Sequence, residues 1–177
     1  MRHLRLRRWC RAAVVMAVVV SFNSSCSEDE VILPDYAGSW EAVASVQGAS
    51  GYTQIKDIMT FTETGFTSLS QVEQPVSKWT DFASMEGTME VHGDIMSIMV
   101  TEIGISSISG INGQPTGIIT SYKKGTAEYD ALFAKLGESK NFESKFTVSG
   151  TKLTLQTDKN NDGDYLDDLE TIVYTKK

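Results

Sequence analysis

The sequence predicts an all-β chain: an antiparallel up-and-down barrel of eight or nine strands, with one short helix near its C-terminal third. Three observations carry this. From Ser39 onward, polar and apolar residues alternate in short runs, the period of a half-buried strand. Brief turn sequences, Glu63-Thr64-Gly65, His92-Gly93-Asp94 and Ser149-Gly150-Thr151, join consecutive runs as hairpins. The period changes to that of a helix once, between Thr126 and Gly137. A meander of that many strands is too large for a small flat sheet and has the right number to close, which removes exposed edges. Two packed sheets are the alternative arrangement of the same strands.

In order along the chain, Trp40, Ala42, Ala44 and Val46 share one face of the first strand, with Glu41, Ser45 and Gln47 on the other. Gln47 to Gly51 loops out of it. Ile55 to Thr62 and Phe66 to Val72 flank residues 63–65, where Gly65 is free to take a positive φ. Asp81 to Val91 and Ile95 to Ile103 flank residues 92–94. Ile105 to Gly117, rich in Gly, Ser and Ile with Pro115 near its end, reads as a long loop or an irregular strand over an open end of the barrel. Ile118 to Tyr122 returns as a strand. Tyr129, Leu132, Phe133 and Leu136 then fall on one helical face, with Thr126 placed to cap and Gly137 to stop the helix. Phe142, Ser144, Phe146 and Val148 alternate with Glu143, Lys145 and Thr147. Leu153 and Leu155 follow a tight turn, and an acidic loop from Asp158 to Asp168 precedes the last strand, Leu169 to Thr175.

Ahead of the barrel lie five arginines and no acid within the first eleven residues, then the mostly apolar run Ala12 to Phe22, then Ser24, Ser25 and Cys26. The apolar run is too short to span a bilayer core of roughly 30 Å and has the anatomy of a secretory signal. It resembles the bacterial lipoprotein signal, with Asn23 standing where that family usually has an aliphatic residue. The resemblance implies cleavage before Cys26 and lipidation of that cysteine, palmitate or a similar chain included. Two or three acyl chains anchor a protein firmly at ~0.8 kcal/mol per buried methylene. Ser27, Glu28, Asp29 and Glu30 follow at once. That cluster resembles the surface-export signal of lipoproteins in certain Gram-negative gut anaerobes, which implies the outer membrane and its cell-surface face; it also reads as an ordinary solvated tether. The expected organisation is a signal peptide over 1–25, an acidic tether over 26–35 and a barrel over 36–177.

Every arginine lies in the leader, so 11 lysines face 23 acids beyond residue 25, a net charge of −12. Such a chain is repelled by nucleic acid and by anionic membrane surfaces. Cys10 lies in the leader and Cys26 is expected to carry lipid. No disulfide is then left to the barrel, whose stability must come from burial and backbone pairing.

At Gly38-Ser39-Trp40, opening the first strand, the chain resembles the lipocalin superfamily, whose first strand begins Gly-X-Trp. The strand count, the single late helix, the leader and the closing strand strengthen the resemblance, which covers Asp35 to Lys177 and is similar to the short lipocalin-like domains borne by Gram-negative lipoproteins. It implies that Trp40 plugs the closed base of the barrel, packed against a basic side chain near the chain end, Lys176 or Lys177. It also implies a protein that binds a small apolar or amphipathic molecule.

A barrel of about eight strands either fills its interior with side chains or holds one small ligand. Ala83, Met85, Gly87, Met89 and Val91 share a face, as do Met96, Ile98 and Val100, and small residues at Ala42, Ala44, Gly87 and Ser144 leave volume beside them. An apolar pocket lined by Trp40, Met85, Met89, Met96, Phe142 and Phe146 is one reading. The other is a packed core, and a filled barrel acting through its surface on a protein partner that the sequence does not name. Asp158, Asn160, Asp162, Gly163 and Asp164 match the first, third, fifth, sixth and seventh places of a calcium loop, but Leu169 stands at the twelfth, so Asp168 or Glu170 must substitute. The same stretch also reads as a polar hairpin loop. No other cofactor is expected. His92 beside Asp94, with Ser97 nearby, is the sole material for a nucleophile and base, and the chain is not expected to be an enzyme.

Overall fold

The computed structural model describes residues 33–48, 51–75, 78–110, 114–137, 139–158, 165 and 170–177. The leader, Cys26 and the acidic residues 27–30 lie outside them. The predicted alternation becomes nine strands: β1 (Gly38–Gly48), β2 (Gly51–Phe61), β3 (Gly65–Gln74), β4 (Lys78–His92), β5 (Ile95–Ile108), β6 (Pro115–Lys123), β7 (Asn141–Ser149), β8 (Lys152–Gln156) and β9 (Thr171–Lys176). Neighbours run antiparallel in the order β4-β3-β2-β1-β9-β8-β7-β5-β6, and β4 also pairs with β5. That last pairing closes eight strands into a ring and leaves β6 as a ninth strand outside it. The chain is therefore an antiparallel up-and-down closed barrel with an added strand and one short helix.

The helix, α1 (Ala127–Leu136), begins where the Thr126 hydroxyl accepts from the Tyr129 amide at 3.3 Å. It ends where Gly137, at φ 71°, donates its N–H to the Phe133 carbonyl. Both caps supply partners for backbone groups that a helix end orphans. Its buried Tyr129 and Phe133 pack into the barrel's core, and the Tyr129 hydroxyl donates to the Val100 carbonyl at 2.6 Å. No helix among the described residues is long and apolar enough to cross a membrane.

Of the two readings of Ile105 to Gly117, the irregular strand holds for much of it and the long loop does not: β5 runs on to Ile108, with a register shift between Ser106 and Ile108, and β6 starts at Pro115. Beta-7 begins opposite Met99, so beyond that point the free flank of β5 is taken by β6 instead. Gly104, just before this stretch, serves close approach. A Cβ on Gly104 would sit 2.4 Å from Ser84 Oγ and 2.5 Å from Ile119 Cγ2. Only a hydrogen there lets β4 and β6 curl so tightly about β5.

Two bulges set which side chains face inward. Phe82 is skipped between the Ala83–Ser70 and Asp81–Gln71 pairs, and Thr101 between the Gly87–Val100 and Glu86–Glu102 pairs. Each extra residue turns the following side chains to the opposite face. Hence Met96, Ile98 and Val100 point inward with even numbers, and Ile103 and Ile105 with odd.

Candidate functional site

Register stacks the inward positions into rings, and burial changes from one ring to the next. The lowest joins Gly38, Phe61, Phe66, Gly87 and Val100 across β1 to β5; Phe61, Phe66 and Val100 are buried. The next joins Trp40, Met59, Ser68, Met85 and Ile103, and all but Met85 are buried. The third joins Ala42, Asp57, Ser70, Ala83 and Ile105, every one half-buried. The fourth begins with Ala44, exposed, and continues through half-buried Ile55, Val72 and Thr80. On the β1 to β5 side the interior is filled at one end and half-open above it, a cup whose opposite wall of Leu153, Leu155 and Tyr174 on β8 and β9 stays buried.

The filled end is held by the Gly38-Ser39-Trp40 segment. Trp40 is 0% exposed, donates its indole N–H to the Tyr36 carbonyl at 2.8 Å, and carries the Lys176 ammonium 5.2 Å from its ring centre. Lys176 thus takes the position expected of Lys176 or Lys177, while Lys177 pairs with Glu41 at 3.6 Å. Tyr36, from the lead-in, sets its ring edge-on to Phe146 with centroids 5.6 Å apart.

Of the six residues read as a pocket, Trp40, Met89 and Met96 belong to the buried core of this base. Met85, Phe142 and Phe146 are half-buried and packed against it. The six face one interior; Trp40 and Met85 both lie in the ring next to the third, and of these two only Met85 is half-buried.

What the alternation of apolar residues did not disclose is the polar group in that ring. Asp57 accepts from the Ser70 hydroxyl at 2.5 Å on Oδ1 and from the Tyr174 hydroxyl at 3.1 Å on Oδ2. Tyr174 stands on β9 and reaches β2 across β1, where Ala42, the register partner of Asp57, leaves room for its ring. Burial, then the neighbouring Asp57 carboxylate, pushes the Tyr174 phenol far above its ordinary range, so it remains an O–H donor. The signal was legible: in Ile55, Asp57, Met59, Phe61 an acid interrupts the inward face of a strand.

Two shallow concavities, of about 200 and 210 Å³, are lined by outward residues such as Thr88, Glu90, Ser97 and Met99, and Thr60, Thr67 and Glu86. Both fall short of the ~300 Å³ of an ordinary small-molecule site and neither adjoins Asp57. The cup, with convergent polar groups on an apolar wall, is the stronger candidate.

His92 and Glu90 lie 3.8 Å apart, both largely exposed, and Ser97 Oγ meets Glu143 at 3.3 Å. His92 and Ser97 are thus turned to different partners. Of the calcium-loop residues, Asp158 is described, while Asn160, Asp162, Asp164 and Asp168 lie outside the described residues. Glu170 is buried, and its carbonyl accepts from Thr157 at 2.9 Å, which brings the loop's two ends together. No cluster of three or more His, Cys, Asp or Glu residues suited to a metal occurs among the described residues.

No family model matches the chain, and no curated protein does. Among solved structures it is similar to a lipocalin-like protein from Bacteroides uniformis. That likeness covers 81% of this chain and 100% of the other, at 18% identity and a TM-score of 0.39.

Proposed function

We propose that the protein is a lipid-anchored cell-surface barrel that holds a small apolar or amphipathic molecule in the cup above its packed base. The observation that carries the cup is the change from buried to half-open inward residues between the ring of Trp40 and Met59 and the ring of Ala42 and Asp57. Ala42, Ala83 and Ala44 are small inward side chains, the kind that leave room for an occupant above the base. Met85, Ile55, Val72 and Ile105 supply apolar contact around it. The arginine-rich leader ending at Cys26 supports the anchor, and the acids at residues 28–30 support export to the cell surface.

Methionine-methyl NMR tests the cup directly. On titration with octan-1-ol, the Met85 methyl shifts along a saturating curve while the buried Met89 and Met96 methyls stay in place. Uniform drift of all three, or none, overturns the reading. Mass spectrometry of the membrane fraction tests the anchor: a lipid-modified peptide beginning at Cys26 is expected, and an intact amino terminus overturns it.

A second reading, a barrel acting through its outer surface, is favoured by a different observation. Among the described residues β1 meets β9 at only two register positions, Trp40–Lys176 and Glu41–Thr175. Val43 and Val173 are exposed on the outer face of the two strands, by 52% and 51%. The titration separates the two, since a surface module leaves Met85 unmoved.

A further inference from the structure

We infer that the Asp57 carboxylate makes the cup selective for an amphipathic molecule with a protonated amine at its polar end. The inference rests on the cup proposed above and adds the chemistry of its occupant.

A carboxylate offers roughly four acceptor directions. Ser70 occupies one on Oδ1 and Tyr174 one on Oδ2. About two remain, on a residue that is half-buried in the third ring. The two hydroxyls also fix the carboxylate's rotamer, so it is positioned before anything binds.

The surroundings select the sign of the partner. Among the described residues, the lysines in ion pairs are joined to Glu102, Asp130 and Glu41, none to Asp57. Lys56, the nearest lysine in sequence, lies on the outer face with its ammonium 4.3 Å from the centre of the Trp79 ring. The negative charge inside the barrel thus has hydroxyl donors but no cation. A carboxylate gains more from a charged donor than from a neutral one, through hydrogen bonds about twice as strong. The net charge of −12 beyond the leader raises the local concentration of cations further.

The wall sets the other end of the molecule. Ala42 is the register partner of Asp57 and Ala83 stands beyond Ser70 in the same ring, Met85 lies in the ring below, and Ile55 and Val72 lie above. An ammonium on Asp57 therefore leaves an attached alkyl chain or ring against apolar side chains leading to the mouth. An anionic amphiphile placed there meets like charge, and a neutral alcohol donates only one hydrogen bond.

The test compares octylammonium, octan-1-ol and octanoate at neutral pH on the full chain, read by the Met85 methyl shift. Octylammonium is expected to bind roughly tenfold or more tightly than octanol, a ratio equivalent to about 1.4 kcal/mol, and octanoate more weakly than octanol. In Asp57→Asn the preference for the amine over octanol falls to parity. Tyr174→Phe keeps the carboxylate and is expected to keep the preference, which guards against misfolding of the first variant. Equal binding of amine and alcohol to the native protein overturns the inference and leaves the cup standing. A Met85 methyl that responds to none of the three overturns the cup itself.

Discussion

The two ends of this barrel are built from the same strands and behave as different materials. In β2 the inward side chains run Phe61, Met59, Asp57, Ile55 from base to mouth; in β1 they run Trp40, Ala42, Ala44, Val46. Two steps up either strand exchange a large buried side chain for a small or polar one that solvent reaches. At the base the neighbouring rings interlock, and the chain ends are stitched in by backbone bonds from Lys176 to Thr151 and from Lys177 to Ser39, both 2.9 Å. With no disulfide assigned to the barrel, its stability is concentrated where Trp40, Phe61, Phe66 and Met96 meet. The upper rings are released from packing and free to be shaped for contact with something else.

The sharpest way to break this contrast is to hollow the base. Trp40→Ala removes the largest buried side chain together with its bond to Tyr36. A loss of about 3–5 kcal/mol is expected in urea unfolding. Val72→Ala, at a half-buried mouth position, is expected to cost about 1 kcal/mol. Similar losses at the two sites would show that the mouth is packed as the base is.

The next effect comes from adding one methyl group. A Cβ on Gly87 would lie 2.1 Å from the Met99 carbonyl oxygen and 2.6 Å from Phe66 Cε1. The backbone atom cannot move aside without breaking the β4–β5 ladder, so Gly87→Ala is expected to destabilise by about 1–3 kcal/mol. A neutral result in the same unfolding assay would mean that the lowest ring is looser than its burial indicates.

Gly87 also shows how far the sequence could be read. The hairpins, the caps at Thr126 and Gly137, the inward sets on β4 and early β5, and a lysine against Trp40 all follow from local rules: period, turn chemistry and a short motif. Residues whose role depends on distant partners did not yield. The skipped Thr101 reverses the facing of Ile103 and Ile105, yet nothing about a threonine in a strand announces a bulge. The need for a glycine at Gly104 was not visible because the neighbours that forbid a side chain there, Ser84 and Ile119, are brought in by strands 15 or more residues away in sequence. Asp57 was visible as an anomaly on an apolar face. Its meaning required Tyr174, 117 residues along the chain, to be placed beside it.

That pair yields a smaller effect with a distinct pH signature. Folding raises the phenol pKa of Tyr174, chiefly by burial, and raises those of Tyr36 and Tyr129 at the base for the same leading reason. The folded chain therefore holds these protons more tightly than the unfolded chain. The resulting stability is complete below the ordinary tyrosine value of about 10 and is lost as pH rises above it. Urea midpoints are expected to fall steadily as pH rises above about 10. Tyr174→Phe is expected to cost about 1 kcal/mol at neutral pH through the lost hydrogen bond, and to make the alkaline decline shallower. An unchanged slope would assign the whole decline to the base tyrosines and leave the Asp57 ring without a share in stability.

The smallest effect belongs to the contact that closes the base. Lys176 keeps its backbone bond to Thr151 whatever its side chain, and its Cε lies 3.5 Å from where a Cβ on Gly38 would be. Lys176→Met preserves the stem and removes only the charge held 5.2 Å from the centre of the Trp40 ring. Because that ammonium is exposed, the expected loss is ~0.5–1 kcal/mol. A cycle with Trp40→Phe separates the ring's attraction for the cation from the packing that both variants disturb. Coupling of a few tenths of a kcal/mol would mean that Lys176 adds a modest electrostatic lock to a base already held by apolar contact. Coupling near zero would mean that the base closes by packing alone, with the lysine stem serving as cover over the indole.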